Sequence, residues 1–172
     1  MAVRTTQRRE TQLVAEYLAQ RVVPHWCVQG QPLGPALEGL TEAHGLEKAL
    51  RISRPWRAEV DAVCVEDGRL VLVEAKIFKW RDGLGQLVLY KGLVPTTPEL
   101  VDHQGKPVVL RLVIPWTSPT VERLAKDHGV EVVVFAPEWV EEYVRSYHNY
   151  WTPEYRDLRE QKLALRRKWG VE

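Results

Sequence analysis

The sequence predicts an α/β layered sandwich with a mixed central β-sheet, followed by additional C-terminal helices. Three observations carry this prediction. Residues 5–21 have a helical pattern, residues 58–65 and 69–77 are β-branched runs separated by Asp67-Gly68, and strand and helix patterns alternate from residue 84 onwards. Helices that precede, separate and follow strands in this way favour a sheet covered by helices.

The first helix is predicted at residues 5–21. Its apolar side chains share one face at helical spacing: Leu13, Val14, Tyr17 and Leu18. At 100° per residue Glu10 falls on that same stripe, whereas Glu16 points away from it. Glu10 is therefore the acid of this helix that we expect to face inward, although a charge at the edge of the stripe would give the same pattern.

The next prediction is a β-hairpin, because Asp-Gly between two β-branched runs is typical of a two-residue type I′ turn. With such a turn, residues equally far from it pair across the hairpin, so Asp61 faces Glu74. The period of two places Lys76 on the same face and turns Ala75 to the other. A longer turn or a bulge would instead move Asp61 to a diagonal position or to the opposite face.

Asp61 and Glu74 would then be like charges on a face that also carries Val63 and Leu72. Unpaired carboxylates are costly on an apolar surface, and a divalent cation with oxygen ligands would compensate them. The alternative is a solvated hairpin face on which exposed charges alternate.

The hairpin resembles a known group. The pattern EVDAV at residues 59–63, a short turn and VLVEAK at residues 71–76 look like the PD-(D/E)xK nuclease superfamily, which includes restriction enzymes, Holliday junction resolvases and RecB-type exonucleases. Val60 stands where the family name has proline. The resemblance implies a restriction-endonuclease-like fold over residues 5–137 and metal-dependent hydrolysis of DNA phosphodiester bonds.

The same resemblance implies roles for single residues. Asp61 and Glu74 would hold one or two Mg²⁺ ions, for which Mn²⁺ can substitute, and the Ala75 carbonyl would add a ligand. Lys76 would orient or activate water. Glu10 would lie near the metal, directly or through water.

Gln86 and Tyr90 occupy one face of a helix predicted at residues 84–94. They are similar to the Gln-x-x-x-Tyr motif of RecB-like nucleases, which implies that they flank the site and position nucleic acid. The basic residues nearby are expected to contact phosphate: Lys79, Arg81 and Lys91. The alternative is a polar amide at the helix start and a core tyrosine.

Length and composition favour one domain, with 172 residues of which 45% are hydrophobic. We expect a nuclease-like core at 1–137 and a helical extension of the same domain at 138–172. Further strands are predicted at 24–28, 108–114 and 130–135, and further helices at 42–50 and 118–128. Lys and Arg number 24 against 23 Asp and Glu, so attraction to nucleic acid must come from local clusters such as Arg51, Arg54 and Arg57.

Several other classes of protein are excluded by the sequence. The five histidines show no metal-ligand spacing or hydrolase triad, and Gly83-Leu84-Gly85 completes no nucleotide-binding loop. No apolar run approaches the length of a membrane span. Cys27 and Cys64 form neither a disulfide framework nor a zinc motif, so we expect reduced thiols and a cytoplasmic location. The composition resembles that of a thermophile's protein.

DNA is the expected partner, and a homodimer or a recruiting partner protein is left open. The alternative function is a nuclease-fold protein that binds nucleic acid or another protein without cutting. Whether a nuclease of this kind would act on ends or internally is not determined by these residues.

Overall fold

A computed structural model describes residues 2–21, 26–147 and 153–169 of the chain. The helices and strands follow in this order: α1 (Ala2–Arg21), β1 (Trp26–Leu33), α2 (Leu40–His44), α3 (Leu46–Ser53), β2 (Ala58–Glu66), β3 (Arg69–Ala75), α4 (Trp80–Leu93), β4 (Val108–Ile114), α5 (Pro119–Asp127), β5 (Val130–Val134), α6 (Glu138–Tyr147) and α7 (Pro153–Lys168). Short 3₁₀ turns lie at Arg54–Trp56, Val94–Thr96 and Pro98–His103.

The strands form one mixed sheet in the order β1-β2-β3-β4-β5. β1, β2 and β3 pair antiparallel, whereas β3 pairs with β4 and β4 with β5 in parallel. The connections agree with this, since a tight turn joins β2 to β3 and helices α4 and α5 provide the crossovers between parallel strands. The predicted mixed α/β sandwich is confirmed.

Both faces of the sheet are buried, as alternation along β3 shows. Leu70 and Leu72 belong to a core cluster that includes Leu84 and Leu87 of α4 and residues of α5. Val71 and Val73 are equally buried but point to the other face. That face is covered by α1, whose Tyr17 hydroxyl lies 3.3 Å from the Arg111 guanidinium of β4.

A buried ionic group holds α1 to this face. Arg111 donates to both carboxylate oxygens of Glu66 at 2.8 and 2.9 Å, and to Glu131 Oε2 at 3.1 and 3.2 Å. Burial lowers the pKa of Arg111, but its partners outweigh burial and leave the pKa raised. Glu66 is the last residue of β2 and Glu131 lies in β5. Arg111 of β4 therefore links three strands, β2, β4 and β5.

The hairpin has the predicted register. Asp67 and Gly68 have φ angles of 46° and 74°, both positive as a type I′ turn requires. Pairing runs from Glu66 and Arg69 to Ala62 and Val73. The predicted register is therefore confirmed from the turn as far as the pair Ala62 and Val73, which adjoins Asp61 and Glu74.

Some predicted boundaries are wrong by a few residues. β1 runs to Leu33 instead of ending at residue 28, and residues 24 and 25 of the expected strand lie outside the described residues. β3 ends at Ala75, so Lys76 follows the strand. α4 begins at Trp80 because Lys79 already accepts the first backbone bond of the helix, from Asp82.

The two cysteines correct a second expectation. Cys27 and Cys64 are direct partners in the β1–β2 ladder and are joined by a disulfide. They are 37 residues apart in sequence, so only the register of β1 brings them together. Disulfides are rare in reducing compartments, apart from those of hyperthermophiles, so the cysteines do not support the predicted cytoplasmic location.

Contacts divide the chain into two compact units, Met1–Phe135 and Ala136–Glu172. Within the second, the rings of Tyr143 and Tyr147 in α6 lie 6.1 Å apart. That this unit extends the same domain stays a prediction. Among the described helices, none has the length and apolar character needed to cross a membrane.

Candidate functional site

The candidate site lies where β2 and β3 stop pairing. Beyond Ala62 and Val73, carboxylates replace backbone carbonyls as hydrogen-bond acceptors. The Ala75 amide donates to Asp61 Oδ2 at 2.8 Å, and the Asp61 amide approaches Glu74 Oε2 at 3.5 Å. Asp61 and Glu74 thus face each other as predicted, and each carboxylate is held by the backbone of the opposite strand.

Lys76 lies on the same side as these acids. Its Nζ is 2.7 Å from Glu74 Oε1 and 4.0 Å from Glu10 Oε2. Glu74 is 2% exposed and the lysine side chain 14%, so the pair is shielded from water. A charged pair in such surroundings is held more firmly than one on the surface.

Glu10 reaches the site from α1. Its Oε1 accepts the Ile77 amide at 3.2 Å, while Glu16, on the same helix, accepts a hydrogen bond from the Gln12 side chain instead. The inward orientation expected for Glu10 is therefore present. Its position depends on Leu13 and Tyr17, the buried residues that fix the rotation of α1 against the sheet.

Three consecutive amides at the end of β3 donate hydrogen bonds to three different elements. The Ala75 amide binds Asp61 of β2, the Lys76 amide binds the Val113 carbonyl of β4 at 3.0 Å, and the Ile77 amide binds Glu10 of α1. This segment, residues 75–77, therefore holds the acids and the lysine in one place.

Burial raises the pKa of each of the three acids in the site. Burial first, and then repulsion from Asp61, raises the pKa of Glu74 to about 7. Burial also raises the pKa of Asp61 and of Glu10. Burial lowers the pKa of Lys76, but attraction to Glu74, Glu10 and Asp61 outweighs it and the pKa ends above its usual value. Lys76 is thus a positive group near three acids, and burial favours the neutral, protonated form of each acid.

The donor set suits a hard divalent cation, for which carboxylate oxygens are preferred ligands. No three Asp, Glu, His or Cys side chains are grouped as a ready-made metal cage within residues 2–21, 26–147 and 153–169. Mg²⁺ does not need such a cage, because it keeps several waters and often uses one or two carboxylates together with substrate phosphate. Asp61 and Glu74 therefore fit Mg²⁺ as a pair.

Sequence reasoning missed the contribution of Gly83 in α4. A Cβ at this position would lie 2.8 Å from Leu112 Cδ1, 2.9 Å from Lys76 Cγ and 3.7 Å from Glu74 Cγ. The missing side chain lets α4 pack directly against the two site residues. A glycine within a helical apolar segment was the available signal, since glycine is unfavourable there without a packing reason.

The residues predicted to bind nucleic acid are placed differently from one another. Tyr90 is buried and its hydroxyl donates to the carbonyl of Glu59, two residues before Asp61, at 3.0 Å. Burial, and then the charges of Glu74 and Asp61, raises the pKa of Tyr90. Gln86 lies one turn earlier, and its Oε1 is buried without a hydrogen-bond partner among the described residues.

The basic residues of this group are exposed: Lys79, Arg81 and Lys91. Lys79 is near enough to Glu10 for its charge to oppose the rise in the pKa of that acid. Arg81 lies over the Trp80 ring, 5.0 Å from its centre. For Lys91 the described residues show no contact with the carboxylates. Of the upstream arginines, Arg54 instead pairs with Glu59 and Arg57 with Glu99.

No protein-family model matches the sequence, and no curated protein matches it significantly. Among solved structures, the chain is similar to the crystal structure of a repair endonuclease from Pyrococcus abyssi, with 19% sequence identity and a TM-score of 0.46. The match covers 74% of this chain and 47% of that one, so this chain spans about half the length of that protein. Likeness at this level does not transfer an activity.

Proposed function

We propose that this protein is a metal-dependent nuclease that hydrolyses phosphodiester bonds of DNA. The proposal rests on one observation above the others: the buried carboxylate of Glu74 and the half-buried carboxylate of Asp61 face each other at a strand end, with Lys76 Nζ 2.7 Å from Glu74. Acids that repel each other away from water destabilise a fold. Their presence therefore indicates a bound cation or a reaction that uses them.

Each residue has a role that follows from its position. Asp61 and Glu74 are the proposed Mg²⁺ or Mn²⁺ ligands, together with the Ala75 carbonyl and with Glu10, directly or through water. When bound, such an ion polarises the phosphoryl oxygen and lowers the pKa of its water. Lys76 places a positive charge beside the acids, where it can orient water and stabilise negative charge that develops on the phosphate.

Glu74 also holds Lys76 in position. With a pKa raised to about 7, this acid is partly protonated near neutral pH when no cation is present. A bound cation would favour the charged form of Glu74. Glu74 thus has two proposed roles: it is a metal ligand, and it positions the ammonium group of Lys76.

Gln86, Tyr90, Lys79, Arg81 and Lys91 are the proposed contacts to DNA. Tyr90 fixes the β2 backbone at Glu59, two residues before Asp61, and Gln86 carries on the same helix face a buried amide oxygen that has no hydrogen-bond partner among the described residues. The exposed cations would meet backbone phosphates, whose contacts position a nucleic acid without reading its sequence.

The test is cleavage of supercoiled plasmid and of single-stranded DNA by the purified chain in Mg²⁺, in Mn²⁺ and in EDTA. We expect cleavage in either metal and none in EDTA. Asp61→Asn and Lys76→Met should each slow cleavage by at least about 100-fold, the scale of losing one electrostatic group. Asparagine keeps an acceptor for the Ala75 amide, so this variant should remain folded.

Matched controls separate the site from nearby charges. Glu59→Gln removes an exposed acid two residues from Asp61, and Glu16→Gln removes the outward acid of α1. Both should cleave normally, whereas Glu10→Gln should be impaired. Full cleavage by Asp61→Asn would refute the assignment, and DNA binding without any cleavage by the wild type would identify a binding module instead.

A further inference from the structure

A segment of alternating aromatic and basic residues follows the site lysine directly. Phe78, Lys79, Trp80 and Arg81 come immediately after residues 75–77, the segment that binds the acids. Lys79 and Arg81 are exposed, while the two rings are half-buried. The aromatic groups are therefore anchored, and the positive charges that follow each of them face solvent.

Trp116 adds a third ring at the same end of the sheet. β3 and β4 are parallel with Ala75 opposite Val113, so Phe78 and Trp116 each lie three residues beyond that pair. Their ring centres are 6.5 Å apart and their planes meet at 62°. Trp116 is 47% exposed, although a large indole usually hides most of its surface.

Glu74, Lys76 and an exposed indole therefore lie together at the carboxyl ends of β3 and β4, and Asp61 of β2 faces Glu74 there. A protein partner would favour an apolar centre depleted of lysine. Here an exposed lysine and arginine flank the rings, which suits a polyanion that also has flat apolar faces. Nucleic acid has that chemistry, but only an unpaired base offers its face for stacking.

We propose that Trp116, supported edge-on by Phe78, stacks against an unpaired base next to the scissile phosphate, so the substrate enters as a single-stranded segment. Lys79 and Arg81 contact the phosphates on either side of that base. This inference rests on the proposed action on nucleic acid and names its substrate class.

The experiment measures binding of DNA probes by the full chain. It is done in EDTA, so that binding is measured without metal-dependent hydrolysis. The probes are a fluorescent oligothymidine and a blunt-ended duplex of the same strand length. Trp116→Ala should weaken binding of the oligothymidine by about 5- to 150-fold, the range for one stacked base. Trp116→Phe, which keeps a stacking face, should retain most of the affinity.

Trp56→Ala is the matched control, because Trp56 is 69% exposed but lies in the 3₁₀ turn before β2. It should bind like the wild type, and circular dichroism should show both alanine variants to be folded. Unchanged oligothymidine binding by Trp116→Ala, an equal loss for the duplex, or no binding of oligothymidine by the wild type would each overturn the proposal. Trp116-dependent binding without any cleavage in Mg²⁺ would support the stacking site and refute only the nuclease activity.

Discussion

Replacing Gly83 by alanine has two opposing effects on stability, one from the packing of α4 against the sheet and one from helix propensity. Alanine is favoured over glycine in a helix interior by about 1 kcal/mol. At this position, however, the new Cβ would lie 2.8 Å from Leu112 Cδ1 and 2.9 Å from Lys76 Cγ, where ordinary contacts are 3.4 to 4 Å. The helix would have to move away from β3 and β4, or both side chains would have to shift.

The expected free energy follows from these two opposing effects. Overfilling a packed core costs about 1–3 kcal/mol, which exceeds or cancels the gain in propensity. We expect Gly83→Ala to lower the free energy of unfolding by about 0–2 kcal/mol. Gly85 lies two residues later in the same helix, and a methyl group added there would have nothing within 4 Å, so Gly85→Ala should be stabilising by up to about 1 kcal/mol.

The assay combines urea unfolding with DNA cleavage in Mg²⁺. Urea unfolding gives the stability difference between the two variants, expected to be about 1–3 kcal/mol. Cleavage by Gly83→Ala should fall even where the protein is fully folded, because the displaced Lys76 no longer meets Glu74 at 2.7 Å. Cleavage by Gly85→Ala should stay at the wild-type rate.

If the two alanine variants were equally stable and equally active, the close approach of α4 to Lys76 would not constrain the site. If Gly83→Ala were unstable but fully active when folded, the glycine would serve packing alone. Either result would refute the link between this glycine and the lysine.

Three further predictions concern stability. The folded state binds the Glu74 proton more tightly than the unfolded chain, because the pKa is raised from 4.5 to about 7; in EDTA the free energy of unfolding should therefore fall as the pH rises through that range, and Glu74→Gln should reduce the fall. Reducing the disulfide between Cys27 and Cys64 should lower the free energy of unfolding by about 4 kcal/mol, the estimate for a loop of this length, as measured by urea unfolding with and without dithiothreitol. Arg111→Leu should cost about 3 kcal/mol by the same measurement, because Glu66 loses the cation that compensates its burial.

Each of these has a distinguishing control. An unchanged pH slope in Glu74→Gln would show that another group carries the titration. The Cys27→Ser, Cys64→Ser double variant should not respond to dithiothreitol, and a response would point to a different origin. Adding Glu66→Gln to Arg111→Leu should recover part of the lost stability, whereas an additive loss would contradict the proposed charge compensation.

The hairpin shows how far local sequence determines the site. Asp67-Gly68 fixes the turn, the turn fixes the register, and the register brings Asp61 to Glu74. Glu10 was also predictable, because the apolar stripe of α1 decides which acid faces the sheet. These inferences need only periodicity and turn chemistry, which act over a few residues.

The features that could not be predicted depend on distant parts of the chain. The disulfide depends on the pairing of β1 with β2; the strand predicted at 24–28 contains Cys27, but nothing local specifies that it pairs with β2 opposite Cys64. Arg111 is buried with Glu66 and Tyr17, although nothing near it in sequence marks a buried charge. Gly83 meets Leu112 only because α4 crosses β4, a relation set by the packing of the whole sheet.

The three consecutive amides of residues 75–77 have a consequence for dynamics. Because they donate to Asp61, to the Val113 carbonyl and to Glu10, their hydrogen-exchange rates report separately on the hairpin end, the parallel pairing and the docking of α1. A cation that draws the carboxylates away would speed exchange at Ala75 and Ile77 while Lys76 stays protected. Exchange rates at these adjacent amides therefore distinguish cation binding, which would affect Ala75 and Ile77, from opening of the β3–β4 pairing, which would affect Lys76.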